Sequence, residues 1–133
     1  MKLPKGTIVA VADGENLSLF RNTGDEANLK LTAADHGDID SENQGSGSRQ
    51  NSSGNPDNGQ AEEDNFAAGI VDLLNKRVLN GKIDNLVIIA APRALGGMRK
   101  HYHKTLSAKL LGEISKVLTG SSVADIESAV EAA

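Results

Sequence analysis

The residues of this chain that could do chemistry gather in one stretch. From Arg93 to Lys109 the charged side chains are Arg93, Arg99, Lys100, Lys104 and Lys109, with no acid among them. Arg93, Arg99, Lys100 and Lys104 form the best polar cluster. On one continuous helix, Arg93 and Lys100, like Lys100 and Lys104, fall close enough in phase to share a broad face. Such a face suits phosphate, RNA or an acidic partner, and equally suits a solvated surface that only keeps the protein soluble. The histidines are His36, His101 and His103. Two residues apart on a helix do not share a face and a metal site needs convergent ligands, so surface histidines and no metal are expected. Asp13, Asp35, Asp38 and Asp84 raise the idea of a two-metal nuclease. Asp13 would follow a strand and Asp84 precede one, which places them at opposite sheet ends if the strands run parallel. Turn residues are the better reading. Cysteine is absent from the sequence, which removes thiol nucleophiles, cysteine zinc sites and disulfides, and fits a reducing compartment. Neither a phosphate-binding Gly-x-x-x-x-Gly-Lys-Ser/Thr nor a dinucleotide-binding Gly-x-Gly-x-x-Gly is present. No complete catalytic constellation results, and no cofactor is expected.

The elements that must position these groups start from Asn85–Met98. Leu86–Ala91 is an unbroken apolar run, as a strand buried on both faces requires. Ala91-Pro92-Arg93 is then a strand-to-helix junction, because proline fits the first helical turn, where its missing N–H would be unpaired anyway. A helix is expected from Pro92 to about Ser107, with Leu95, Met98, Tyr102 and Leu106 as its apolar stripe. Gly96 and Gly97 weaken it and leave room for another backbone to approach.

The remaining chain supplies the frame. Thr7–Ala12 reads as a buried strand, Asp13-Gly14-Glu15-Asn16 as a turn, and Leu17–Arg21 as an antiparallel second strand. After the turn signal Asn22-Thr23-Gly24-Asp25, the alternation of Leu29, Leu31 and Ala33 with Lys30 and Thr32 reads as a half-buried third strand. Residues 38–60 are dominated by Gly, Ser, Asn, Gln and Asp, have little to bury, and read as a mobile polar loop. Glu62–Asn80 is the clearest helix, with Phe66, Ile70, Leu73, Leu74 and Val78 recurring at helical spacing. Glu62, Glu63 and Asp64 are expected in its first turn, and Gly81 as its C-cap. Leu110–Leu118 suits a further strand. Ser122 with Asp125 opens the last helix, whose buried stripe would be Val123, Ile126 and Val130. The order is β-β-β-long loop-α-β-α-β-α, and a mixed five-stranded sheet with packed helices satisfies it in one domain over residues 1–133.

Charge is unevenly spread along the chain. The formal net charge is −4. Between Asp35 and Asp64 only Arg49 opposes the acids Asp35, Asp38, Asp40, Glu42, Asp57, Glu62, Glu63 and Asp64. The apolar run near the start is too short for a membrane span, so a cytoplasmic protein without membrane insertion is the default. With only Phe20, Phe66 and Tyr102 as aromatics, the core must be built from Leu, Ile, Val and Ala.

These pieces together resemble the host attachment protein family, described as required for bacterial attachment to host cells. The likeness is carried by VADGENLSLFR, EEDNFAAGIVDLL, LVIIAAPRALGGMRK and ISKVLTGSSVADIESAV. The matching positions are Asp13 and Gly14 after the first strand, Phe66 on the helix, then Ala91, Pro92, Leu95, Gly96 and Arg99. That family is in turn similar to the central domain of eukaryotic and archaeal peptide-chain release factors. The similarity implies a ribonuclease H-like sheet of the translation-machinery type. In release factors the loop before the long helix carries the Gly-Gly-Gln that triggers peptidyl-tRNA hydrolysis. The loop here has Gly45-Ser46-Gly47-Ser48-Arg49-Gln50, so Arg49 and Gln50 are its candidate residues and no Gly-Gly-Gln is present. The resulting expectation is a non-enzymatic binding or adaptor protein linked to bacterial attachment. The alternative is an RNA- or ribosome-associated release-factor-like protein that hydrolyses peptidyl-tRNA or RNA. RNA, the ribosome or an acidic protein are the partners this allows. An exposed strand edge leaves self-association open.

Overall fold

The computed structural model describes residues 1–35 and 58–133, with the side chains of the second stretch described from Asp64 onward. Along the described residues the order is β1 (Ile8–Ala12), β2 (Leu17–Asn22), β3 (Leu31–Ala34), α1 (Asn58–Leu79), β4 (Leu86–Ala90), α2 (Pro92–Arg99), α3 (Lys104–Lys109), β5 (Leu110–Ser115) and α4 (Val123–Ala132). The strands form one five-stranded sheet in the order β3-β2-β1-β4-β5. Neighbouring pairs β1–β2 and β2–β3 are antiparallel, whereas β1–β4 and β4–β5 are parallel. The sheet is therefore mixed, as the sequence pattern anticipates, and its order is ribonuclease H-like, as the resemblance implies.

The burial pattern explains the apolar runs. β1 and β4 are buried at every residue, because helices cover both faces of the sheet centre. On one face Ile8, Ala10, Ala12, Leu86, Ile88 and Ala90 pack against Ile70, Leu74 and Val78 of α1, with Leu95, Met98 and Leu106. On the other, Val9, Val11, Val87 and Ile89 pack against Leu3 and against Ile126 and Val130 of α4. Each such fully buried Leu or Ile contributes about 1.5–3 kcal/mol of transfer free energy. Phe20 and Met98 are also buried, so the core is less purely aliphatic than composition suggests.

A few polar side chains organise the edges. Asn22 is fully buried. Its Nδ2 donates to the Leu3 carbonyl at 2.9 Å, and its Oδ1 accepts from the backbone N–H of Gly24 at 3.0 Å and of Lys30 at 3.1 Å. One amide thus ties the β2–β3 connection to the segment before β1, which accounts for a polar residue in the interior. Gly24 is required in that connection, since a Cβ there would lie 1.9 Å from the Asn28 carbonyl oxygen.

Several expected boundaries shift. The long helix starts at Asn58, so the residues 58–60 assigned to the loop are helical, and its first turn holds no acid. Glu62, Glu63 and Asp64 fall in its second turn because the helix begins earlier than its apolar stripe. The strand expected to reach Leu118 stops at Ser115, and Val117 is exposed. A register shift at Leu86/Val87 leaves Leu111 opposite neither partner and 44% exposed, which accounts for the mixed spacing of that strand. Val123 is largely exposed, and only Ile126 and Val130 carry the buried stripe of α4. Ala33, expected on the buried side of the third strand, is exposed, and its neighbour Ala34 packs on the core. The expected mobility of 38–60 falls mainly on residues outside those described.

Candidate functional site at the carboxyl end of the parallel strands

β1 and β4 run parallel in register from Ile8↔Leu86 to Ala12↔Ala90, so Asp13-Gly14 and Ala91-Pro92 emerge side by side. That end of an open α/β sheet is where ligands commonly bind. The two family-motif segments therefore meet in space. By the same geometry Asp84, which precedes β4, lies at the far end of the sheet from Asp13.

Asp13 holds its own turn. Its Oδ1 accepts from the backbone N–H of Glu15 and of Asn16, each at 2.7 Å. Its Oδ2 accepts from the Thr119 hydroxyl at 2.6 Å, which ties the β1–β2 turn to the connection before α4. Burial alone would raise the Asp13 pKa, but the hydrogen bonds from Thr119, Glu15 and Asn16 outweigh it and hold the carboxyl below the usual range. A carboxylate with its oxygens so engaged is a structural acceptor and a poor metal ligand. Among the described residues no group of three or more His, Asp or Glu is placed to hold a metal ion.

Beside this turn a cleft of about 170 Å³ opens between α1 and α2, lined by Gly14, Asp64, Ala67, Ala91, Arg93 and Gly97 among others. Small side chains create it. A Cβ on Gly97 would come within 3.7 Å of Ala67 Cβ and of an Asp64 carboxylate oxygen, so Gly97 faces α1, while Gly96 faces open space. The expected close approach is thus made by Gly97 alone, and the neighbours are side chains of α1. Pro92 opens α2, and its N-cap residue, Ala91, offers no side-chain cap. Among the described residues the lining includes one carboxylate, Asp64 of α1, and one guanidinium, Arg93 at the start of α2.

The basic segment is arranged differently from the expected single helix. α2 ends at Arg99, Lys100 is its C-cap, and α3 begins at Lys104. Two polar side chains make the break. His103 caps α3 by accepting from the Thr105 N–H at 3.2 Å. Asn75 on α1 donates to the His101 carbonyl and accepts from the His103 N–H, both at 3.1 Å, which satisfies the backbone groups that the interruption frees. Lys100 and Lys104 therefore lie on different elements, and the shared helical face expected for Arg93, Lys100 and Lys104 does not form. All three remain exposed.

Arg99 is engaged elsewhere. Its Nε and Nη2 donate to one oxygen of Glu113 at 3.0 and 2.8 Å, and the Tyr102 hydroxyl donates to the other at 2.6 Å. Burial of Glu113 would raise its pKa, but the bonds from Arg99 and Tyr102 prevail and lower it. Burial, and then the bond to Glu113, push the Tyr102 phenol well above its ordinary value. This triad fastens the end of α2 to β5. The motif arginine thus forms an ion pair with Glu113 that links α2 to β5.

Of the other motif residues, Leu95 is buried in the core and Phe66 packs against it, half-buried. His101 and His103 are exposed, and Asp35 ends the first described stretch. Arg49, Gln50, His36 and Asp38 lie outside the described residues. Sequence reasoning misses Glu113, Thr119 and Asn75, because each acts across a long sequence separation with no local motif. A search for a complete Gly-Gly-Gln also passes over Asn58-Gly59-Gln60. This triplet opens α1 and differs from Gly-Gly-Gln only in its first residue.

Among the described residues no helix is long and apolar enough to cross a membrane. No curated protein matches the chain at a significant level. The sequence model of bacterial archaeo-eukaryotic release factor family 12 matches residues 6–130. That match spans the whole sheet, α1 to α3 and all but the last two residues of α4, and the ribonuclease H-like strand order agrees with it, so the chain belongs to bacterial archaeo-eukaryotic release factor family 12.

Proposed function

We propose that this protein associates with RNA of the translation apparatus as a release-factor-like module, in the cytoplasm where that apparatus works. The family match over residues 6–130 carries this reading. The exposed cations Arg93, Lys100 and Lys104 support it by giving the α2–α3 surface the charge that phosphate contact needs. An effect on bacterial attachment to host cells would, on this reading, be indirect. Co-sedimentation with ribosomes and with tRNA at several salt concentrations is the test. Binding that weakens steeply with salt is expected, and no salt-sensitive binding at micromolar protein rejects the reading.

One observation favours a second reading, hydrolysis of the peptidyl-tRNA ester. Asn58-Gly59-Gln60 opens α1, directly after the loop in which the resemblance places the release-factor Gly-Gly-Gln. Water would attack the ester carbonyl, the bond to the ribose oxygen would break, and that oxygen would leave with a proton. Gln60 would orient the water. Release of labelled peptide from ribosome-bound peptidyl-tRNA should fall at least about tenfold in Gln60→Ala if the glutamine positions the nucleophile. Equal release by the variant and the wild type excludes this role.

A further inference from the structure

The opposite end of the sheet carries a second concentration of positive charge. A cleft of about 310 Å³ has Arg21, Arg77 and Lys82 on its walls and Ile8, Ala34 and Ile83 between them. The three cations come from separate places. Leu17 and Leu19 of β2 face the core under α1, and the two-residue period puts Arg21 on that same face, opposite Ile8, at the end of the strand. Arg77 lies in the last turn of α1. Lys82 follows that helix and is held by its C-cap.

The C-cap gives the cleft its unusual character. Gly81, at φ +76°, completes a turn in which the Lys82 N–H donates to the Arg77 carbonyl at 2.9 Å and the Gly81 N–H donates to the Val78 carbonyl at 3.1 Å. In this Schellman geometry the two positions that hold Arg77 and Lys82 usually make a hydrophobic contact. Here the fold brings two cations together instead and adds a third from β2. Asp35, whose carbonyl accepts from Arg77 Nη1 at 3.1 Å, is the one carboxylate among the described lining residues, which together carry a net of two positive charges. Among the described residues none of the three cations has an ion pair. Like charges gathered this way repel one another and create a local potential that an anion relieves.

We infer that this cleft is a phosphate-backbone site for single-stranded RNA, separate from the α2–α3 surface. Two guanidinium groups suit the planar, paired contacts that phosphate oxygens accept, and the lysine adds a point charge. Among the described residues the lining has no aromatic ring for base stacking, so contact to the backbone without sequence preference follows. The inference rests on the RNA reading above and extends it to where the strand runs.

Fluorescence anisotropy with a short labelled oligouridylate, across roughly 50 to 200 mM KCl, tests it. The variant Arg21→Gln/Lys82→Gln leaves Arg77 and its bond to Asp35 in place. Its affinity should drop roughly tenfold at 200 mM salt and more at 50 mM, with the log–log salt slope reduced by about 1.4, since each single-strand contact contributes about 0.7. Lys30→Gln/Lys116→Gln removes the same charge from exposed positions elsewhere and should leave both quantities nearly unchanged. Binding by the wild type with equal losses in the two variants overturns the site and leaves the RNA reading standing. Absence of wild-type binding overturns both. Tighter competition by polyglutamate than by unlabelled oligouridylate also overturns the site, because it identifies an acidic peptide as the better occupant. Far-ultraviolet circular dichroism of each variant confirms that the fold is kept.

Discussion

At the residue scale, two carboxylates define how this domain responds to acid. Asp13 and Glu113 both have folded-state pKa values below the ordinary range, because hydrogen-bond donors outweigh the cost of their burial. A depressed carboxylate pKa means that the unfolded chain binds more protons, so stability rises with pH through that window. The stabilisation is fully present above the unfolded values, near pH 4, and is lost as pH falls through the lower folded ones. Denaturant titrations at pH 7 and pH 3 should show the wild type losing more stability between those conditions than Glu113→Gln loses. Equal losses would deny Glu113 this role. Tyr102→Phe removes one donor to the Glu113 carboxylate and should cost about 1–2 kcal/mol at pH 7, since the bond is charge-assisted and half-buried. The same contacts give the motif arginine a structural role: Arg99 donates from Nε and Nη2 to Glu113 and joins the end of α2 to β5.

At the element scale, two glycines with opposite duties separate local propensity from local geometry. Gly81 takes a positive φ of +76° at the end of α1, and a Cβ there would meet nothing within 4 Å. Gly81→Ala should therefore destabilise by about 1 kcal/mol through backbone strain alone, with no clash. Gly96 lies inside α2, is also open to space, and has no positive φ. Gly96→Ala should stabilise by about 0.5–1 kcal/mol, because alanine restricts the unfolded chain and suits a helix. Thermal or denaturant unfolding of both variants checks the pair, and a shared sign would contradict the argument. The break between α2 and α3 belongs to the same scale. A single long helix satisfies the sequence periodicity, yet Asn75 and the His103 cap satisfy the freed backbone groups, so the interruption is tolerated.

At the scale of the whole molecule, parallel β1 and β4 give the sheet two chemically different ends. One end brings together Asp13, Gly14, Ala91 and Pro92 and leaves a small cleft beside the start of α2. The other gathers Arg21, Arg77 and Lys82 where β2 and α1 finish. A strand of RNA reaching both would couple the salt dependence of the two surfaces. The salt slope of the wild type should then exceed that of a variant lacking either cluster, and an unchanged slope after removing one cluster would exclude that cluster from the contact.

Much of this architecture is legible in the sequence because it depends on local patterns. The apolar run at Leu86–Ala90 can be stable only when covered on both faces, the three- and four-residue spacing of α1 fixes its buried side, and Gly81 and Ser122 mark helix ends by their own conformational chemistry. Those signals suffice for the strand count, the strand order along the chain and a mixed sheet, though not for the split of the expected Pro92–Ser107 helix into α2 and α3. The site is another matter. That Asp13 is held by Thr119, that Arg99 is paired with Glu113, and that Asn75 licenses the break at residues 100–103 are contacts between residues far apart in the chain. No spacing rule encodes them, because a hydrogen bond depends on atoms meeting within about 3 Å after the sheet has closed. The one helical face that the sequence pattern suggests for Arg93, Lys100 and Lys104 is redistributed for this reason. The cluster of Arg21, Arg77 and Lys82, scattered over sixty-odd residues, exists only because β2, α1 and its C-cap end at the same place.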